Sequence, residues 1–551
     1  MQRTRATKPL FILLAAALLA MPWLVVPASA APAPARLDDD VSQLLQGRPE
    51  SQAIPAIVEG AAASLAQAQG DGAERAQRAE SRVRVSGGHV VGNANLLGAT
   101  VADLKPAQIR ALAADPAVAR IHLDAPVKAT ATTDNSTSGP TPIVFQQTVG
   151  ATSAWNAGDT GQGVTVAILD SGIDNSSGAF GGRVKARVDL VDPAHPIEGD
   201  PAGHGTHMAG IVAASRTFTS PGIAPDASLV SVRVLDQNGS SRVSTVVLGL
   251  EWVIAHKASL GIRVVVMALG APAAGSYRED PLAAAVELAW RSGLVVVTAA
   301  GNQGPGAGTV ETPGIDPLVL TVGASDDNGT PTPADDVLPI WSSVGPTPDG
   351  LAKPDLVAPG RKIVSVRVQG STLDVQSPTH VEGPTTIRFS GTSQATAVAG
   401  GAAALLLQQR PDLNPDETKA LLVQGARPVA GANAAAQGAG LLDVRRSLAA
   451  PRPHVRGQHL PPANGLIRAL RPLLTDQLGD DLLDADQVRS DQIRWDQIRW
   501  DQIRWDQIRW DQIRWDQIRW DQIRWDQIRW DQIRWDQIRW DQIRWDAIIW
   551  D

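Results

Sequence analysis

Three short segments carry side chains of the kinds that acyl transfer needs. The first is Asp170-Ser171-Gly172, which follows the apolar run at 164–169. A carboxylate at the carboxyl end of a buried strand sits where α/β sheets build their sites; an ordinary strand-ending turn uses the same residues. The second is His204-Gly205-Thr206-His207-Met208-Ala209-Gly210. Two His three apart share a helical face, as metal ligands do, but no Glu or third His follows at zinc spacing. A general base at a helix start fits better. The third is Ser390-Gly391-Thr392-Ser393-Gln394-Ala395-Thr396, leading into an Ala- and Gly-rich segment at 397–407. A Ser at a helix N-terminus meets free backbone N–H groups and the positive end of the dipole. Both favour the oxyanion formed when a hydroxyl attacks a carbonyl. A plain N-cap serine is the other reading of that position.

Taken together, in the order Asp170, His204, Ser393, these segments resemble the subtilisin-like serine proteases (subtilases, peptidase family S8). The resemblance spans residues 144–449. Further segments carry it: Ala299-Ala300-Gly301-Asn302, Trp341-Ser342-Ser343-Val344-Gly345, the run Lys353-Pro354-Asp355 through Gly360, and Gly438-Ala439-Gly440-Leu441-Leu442-Asp443-Val444 at the end. It implies a subtilisin-like three-layer α/β domain with a mainly parallel sheet, acting as an endopeptidase through an acyl-enzyme. Ser393 is a poor nucleophile until a base takes its proton, and His204 titrates in the right range. Asp170 would fix the imidazole tautomer and stabilise the imidazolium. Asn302 and the Ser393 N–H would donate to the oxyanion; losing one such donor costs roughly 3–4 kcal/mol in barrier.

Two departures from the family pattern bear on substrate. Val266-Met267-Ala268-Leu269-Gly270-Ala271 stands where the family usually has Asn-Met-Ser-Leu-Gly-Gly, and Gln394, Ala397 and Val398 replace the usual Met, Pro and His after the serine. The resemblance makes Leu269, Gly270, Ala299, Ala300 and Gly301 the walls of the first substrate pocket. They are small and apolar, so an apolar or broad preference is expected. It also leaves room for structural calcium with unassigned ligands. Asp326, Asp327, Asp335 and Asp336 lie in polar loops and match no ligand set; they read as solvated loop carboxylates. The segment 97–127 resembles the family's inhibitory propeptide through Gly98, Pro106, Ile109, Leu112, Pro116, Val118, Ile121 and Asp124. That implies a zymogen inhibited by its own propeptide, with self-cleavage between Val127 and Ile143.

The elements that position these residues follow from hydrophobic period. Apolar runs at 164–169, 229–234, 263–267, 294–298 and 318–322 are nearly continuous in Val, Ile and Leu, which suits strands buried on both faces. Helical patterns at 243–257 and 282–292 fall between them, so a parallel sheet covered on both sides is expected. Upstream, Val83 and Val85 alternate with Arg and read as a strand. Pro106 can open a helix carrying Ile109 and Leu112, and Val118, Ile121 and Leu123 suggest a closing strand.

The chain has 551 residues, 43% of them hydrophobic and 19% charged, enough to bury a sizeable core. With 49 basic and 57 acidic residues the net charge is −8, which argues against nucleic-acid binding. The absence of cysteine excludes disulfides, thiolate metal sites and a cysteine nucleophile. Arg3, Arg5 and Lys8, an apolar run to Val26 and Ala28-Ser29-Ala30 read as a signal peptide rather than a membrane anchor, so the protein is expected to be secreted. The organisation is therefore a signal peptide (1–30), a flexible propeptide leader with room for one helix (31–80), an inhibitor-like unit (81–127), a linker (128–142), the peptidase domain (143–450), a connector (451–485) and a repeat tail (486–551). In the tail Asp-Gln-Ile-Arg-Trp recurs eleven times between Asp491 and Trp545. A period of five gives no helical stripe and flips faces on a continuous strand, whereas a corner at every Asp would stack the pentads as a solenoid. The tail is then a surface-binding or self-association element, or else a floppy expanded repeat. An adhesive protein with the protease-like domain as scaffold is the other function class; the intact Asp170, His204, Ser393 and Asn302 set argues against it.

Overall fold

A computed structural model of the chain describes residues 36–61, 72–130 and 141–453. The signal peptide, residues 131–140 of the linker, and the connector beyond 453 with the repeat tail lie outside the described residues.

The first unit is a sheet of five strands covered by helices. Its strands are β1 (Arg36–Leu37), β2 (Ile54–Gly60), β3 (His89–Ala94), β4 (Ala99–Leu104) and β5 (Val118–Leu123), in the order β1-β5-β2-β4-β3. Helices Asp39–Gly47, Gly72–Val85 and Pro106–Ala113 accompany them. Ile54, Ala56 and Val58 from β2 share a core with Ala79, Val83, Ile109, Leu112 and Ile121. The period-2 alternation of a half-covered strand and the 3.6 period of its helices thus meet in one layer. Two sequence expectations are corrected here. Val83 lies in the helix Gly72–Val85, whose buried positions Ala76, Ala79 and Val83 keep helical spacing, and the Arg–Val alternation is incidental. Residues 31–80, read as a leader, supply β1, the helix Asp39–Gly47, β2 and most of the helix Gly72–Val85, so the unit begins far upstream of 81.

The strand β6 (Pro126–Ala129) leaves this unit and enters the second. There β7 (Thr165–Asp170), β8 (Val184–Asp189), β9 (Ser228–Arg233), β10 (Ser240–Arg242), β11 (Ile262–Met267), β12 (Leu269–Gly270), β13 (Val295–Ala299), β14 (Leu320–Ser325) and β15 (Leu356–Pro359) follow in turn. Seven of them form a parallel sheet in the order β15-β14-β13-β11-β7-β9-β8. It is the middle layer of a three-layer α/β domain. From β7 the chain goes to the edge strand β8 and back to β9 on one side, then crosses to β11 and runs outward through β13, β14 and β15 on the other, so the carboxyl end of β7 is the switch point of the sheet. The helix Thr392–Gln409 packs across β11, β13 and β14 and against the helix His204–Ala213. Its small residues make this approach close: a Cβ on Gly400 would collide with Val266, and one on Gly401 would sit 2.6 Å from Ile223.

β6 does not join the large sheet. It lies between β10 and β12, antiparallel to both, with Val127 opposite Ser241, Lys128 opposite Ser240 and Gly270, and Ala129 opposite Leu269. Residues 128 and 129, read from sequence as the start of a linker, are therefore the middle strand of a small sheet shared by the two units.

Candidate active site

Asp170 ends β7 at the switch point and is fully buried. The turn after it brings the helix His204–Ala213 across the strand end, so closely that a Cβ on Gly205 would collide with the carbonyl of Gly172. Asp200 fastens this helix start. Its Oδ2 accepts the Thr206 N–H at 2.7 Å and the Thr206 hydroxyl at 2.8 Å, and its Oδ1 accepts from Gly203 N–H and Ser171 Oγ. Burial pushes the Asp200 carboxyl up against these bonds. His204, the first residue of the helix, then meets Asp170: Nδ1 lies 2.8 and 2.9 Å from its two carboxylate oxygens. Burial works against a charged imidazole, but the Asp170 charge and hydrogen bond, with the Asp200 charge behind them, leave the His204 pKa above its usual value. Nε2 of His204 has no hydrogen-bond partner among the described residues.

His207 does not share a ligand position with His204. Its Nε2 lies 3.2 Å from the Ile387 carbonyl, its ring packs edge-on to Phe389, and burial with the His204 charge pushes its pKa down to about 3. It is a neutral core residue.

Ser393 is the second residue of the helix Thr392–Gln409, where backbone N–H groups lack intrahelical acceptors. Its hydroxyl donates to the Ala268 carbonyl at 3.0 Å and lies 2.7 Å from Thr130 Oγ1. Asn302, just beyond the end of β13, donates from Nδ2 to the Thr130 carbonyl oxygen at 2.6 Å. Its Oδ1 accepts both the N–H and the hydroxyl of Thr392 at 3.0 Å, which fixes the way the amide points. The residue that follows β6 therefore has its carbonyl held by Asn302 and its hydroxyl beside that of Ser393. Thr130 also donates its N–H to Ala268 at 3.2 Å, while Val127 three residues earlier is fully buried and Lys128 is exposed.

The five wall residues are all buried: Leu269 and Gly270 form β12, and Ala299, Ala300 and Gly301 lie at the end of β13 and just after it. Between them sits a residue the sequence reading missed. Glu311 donates its N–H to the Ala300 carbonyl, and the neighbouring bridge Ala271–Thr312 brings its side chain against Gly270 and Gly301. No motif marks this Glu; only the close contacts place it. Asp200 and Thr130 were missed for the same reason.

The first unit is held on the second by polar contacts. Asp124 accepts the Ser244 N–H at 2.9 Å and its hydroxyl at 2.8 Å at the start of the helix Val243–Leu260. Glu251 of that helix accepts the Leu96 N–H at 3.2 Å, and Arg120 pairs with Glu279 at 3.2 Å.

The acidic loop differs from its sequence reading. Asp326, Asp327 and Asp336 are buried, at 5%, 7% and 3% exposure, and only Asp335 is solvated. Asp326 pairs with Arg361, Asp327 accepts the Gly329 N–H and Asp335 accepts the Thr330 hydroxyl. Both carboxylate oxygens of Asp336 have no donor among the described residues. Burial and the charges of Asp327, Asp335 and Asp326 push its carboxyl up to about 7. Among the described residues no three or more His, Asp or Glu side chains are grouped to hold a metal ion.

Residues 161–441 match the model of the Subtilase family. The chain is 37% identical over 365 residues to "Serine protease AprX" of Bacillus subtilis (strain 168), covering 64% of this chain and 80% of that one. It is 35% identical over 310 residues to "Alkaline protease" of Alkalihalobacillus alcalophilus, covering 56% and 69%. Among solved structures, fervidolysin from Fervidobacterium pennivorans, described as a keratinolytic enzyme related to subtilisin, superposes with a TM-score of 0.59 at 20% identity, over 78% of this chain and 64% of that one. The fold and its relatives are those of subtilisin-like serine endopeptidases. The chain belongs to the Subtilase family.

Proposed function

We propose that the chain is an exported zymogen whose second unit cuts peptide bonds through Asp170, His204 and Ser393, and which first cuts itself after Thr130. The single observation that carries this reading is Thr130, whose carbonyl is hydrogen-bonded at 2.6 Å by Asn302 and whose own hydroxyl lies 2.7 Å from Ser393 Oγ. A substrate enters as β6 does, as a strand between β10 and β12, so its backbone is bound before its side chains are tested. His204 Nε2 takes the Ser393 proton as Oγ attacks the carbonyl carbon. The developing oxyanion is met by Asn302 Nδ2, with its amide already aimed by Thr392. The C–N bond breaks, His204 returns the proton to the leaving amine, and water cleaves the ester by the reverse route. Asp170 holds Nδ1–H throughout and steadies the imidazolium.

The first unit is then the inhibitor. Asp124 at the start of the helix Val243–Leu260, Leu96 on Glu251 and Arg120 on Glu279 would keep it seated after the cut. The signal-peptide pattern of residues 1–30 supports export, and the repeat tail would act as a surface-binding or self-associating appendage. A fluorophosphonate probe tests the enzyme reading. It labels the mature protein and not Ser393→Ala; labelling that persists in Ser393→Ala, or a mature protein that takes no label, contradicts it.

A further inference from the structure

We propose that Glu311 sets the first specificity pocket, so that the enzyme cuts after lysine or arginine rather than after an apolar residue. This rests on the roles given to Ser393 and Asn302, because they define which substrate residue enters that pocket. That residue is the one whose carbonyl meets Asn302, the position of Thr130 in the zymogen.

Two glycines face the pocket where side chains would otherwise stand. A Cβ on Gly270 would lie 2.7 Å from Glu311 Oε2, and one on Gly301 would lie 2.7 and 2.8 Å from Glu311 Cγ and Cδ. The carboxyl therefore occupies the space between the walls, where small apolar residues alone had been expected. It is only 7% exposed with β6 in place. No Lys or Arg pairs with it among the described residues; its polar partner is the neutral, solvent-exposed Gln303. Burial consequently pushes the carboxyl up, with the Gln303 hydrogen bond opposing.

A carboxylate in a closed pocket without a countercharge is unfavourable, and the partner that best relieves it is a cation. A lysine or arginine side chain has the reach to bring one from the substrate strand, and the backbone pairing fixes where it enters. Thr130 does not supply that charge. Its hydroxyl turns instead to Ser393 at 2.7 Å and Ala268 at 3.4 Å. The propeptide thus presents a short neutral residue at this position and leaves Glu311 without a countercharge, which suits a sequence that is cut once and then serves as inhibitor. An apolar substrate residue would bury the carboxylate further with nothing gained.

The test uses the mature full-length enzyme and tetrapeptide amides that differ only in the last residue: Lys, Arg, Leu, Phe or Thr. The expected kcat/KM for Lys and Arg is at least tenfold above Leu and Phe. In Glu311→Gln the Lys-to-Leu ratio falls at least tenfold. A second measurement needs no variant: lowering the pH of the wild type through the carboxyl's range shrinks the Arg-to-Leu ratio of inhibition by two peptide aldehydes. Equal or better cleavage after Leu or Phe, or a ratio unmoved by both the substitution and the pH, overturns the proposal. If no peptide is cut and no fluorophosphonate label is taken, the peptidase reading fails, and this one with it; cleavage without basic preference overturns this one alone.

Discussion

Both ends of the Asn302 amide are engaged, one on a substrate-like carbonyl and the other on Thr392. Removing the donor therefore removes an interaction that strengthens as charge develops on the oxygen. Asn302→Ala is expected to lower kcat about 10²–10³-fold with little change in KM, read from steady-state kinetics on a peptide amide. His204 makes a second prediction. As a base it must be neutral, so kcat/KM rises with pH through the imidazole pKa of the free enzyme. The Asp170 and Asp200 charges hold that pKa above the ordinary imidazole value, so the rise is displaced to higher pH. A pH–rate profile checks it; a midpoint below the ordinary value contradicts the electrostatic reading. The residues proposed for the chemistry could be picked out from sequence because Asp170, His204, Ser393 and Asn302 each stand in a distinctive short run. Asp200 and Glu311 carry no such run, and only three-dimensional contact brings them to the site.

The elements of the second unit were readable from period. Runs of Val, Ile and Leu at 164–169 and 263–267 became β7 and β11 because strands covered on both faces need no polar alternation. The first unit was harder. Its helix Gly72–Val85 is rich in Arg and Glu, and its buried face is built on Ala, which gives a weak hydrophobic signal. Its face toward the second unit also holds charge that no pattern announces. His122 is fully buried, with Asp38 Oδ2 at 2.7 Å and Glu59 Oε1 at 2.8 Å on its two ring nitrogens. Burial disfavours its charge, but the two carboxylates win and raise its pKa to about 10. A His raised in the folded state gives stability that is complete below its unfolded pKa, near 6.5, and is lost as pH rises through about 10. The Ser393→Ala zymogen should accordingly show weakening protection of residues 36–61 and 72–130 between those limits, seen by hydrogen exchange. His122→Gln should flatten that dependence and cost roughly 3–5 kcal/mol, as expected when one member of a buried ionic group is removed.

At the scale of the whole molecule the proposed reading makes the chain a peptidase domain carrying its own first substrate. β6 is the strand common to both units, and on the proposed reading the carbonyl of Thr130, the residue just after it, stands in for a scissile one. The repeat tail contributes none of the residues assigned to the chemistry. A chain ending at Ala450 is therefore expected to hydrolyse a short peptide amide at the rate of the full mature enzyme, within about twofold on the scale of ordinary kinetic comparison. Loss of that activity in a folded truncated protein would make the tail part of the enzyme. The most direct test of the central claim is the N-terminal sequence of the purified protein. The mature wild type is predicted to begin at Ala131, and Ser393→Ala to remain joined across Thr130 and Ala131. A wild type that starts elsewhere, or a Ser393→Ala chain severed at that bond without added protease, would contradict it.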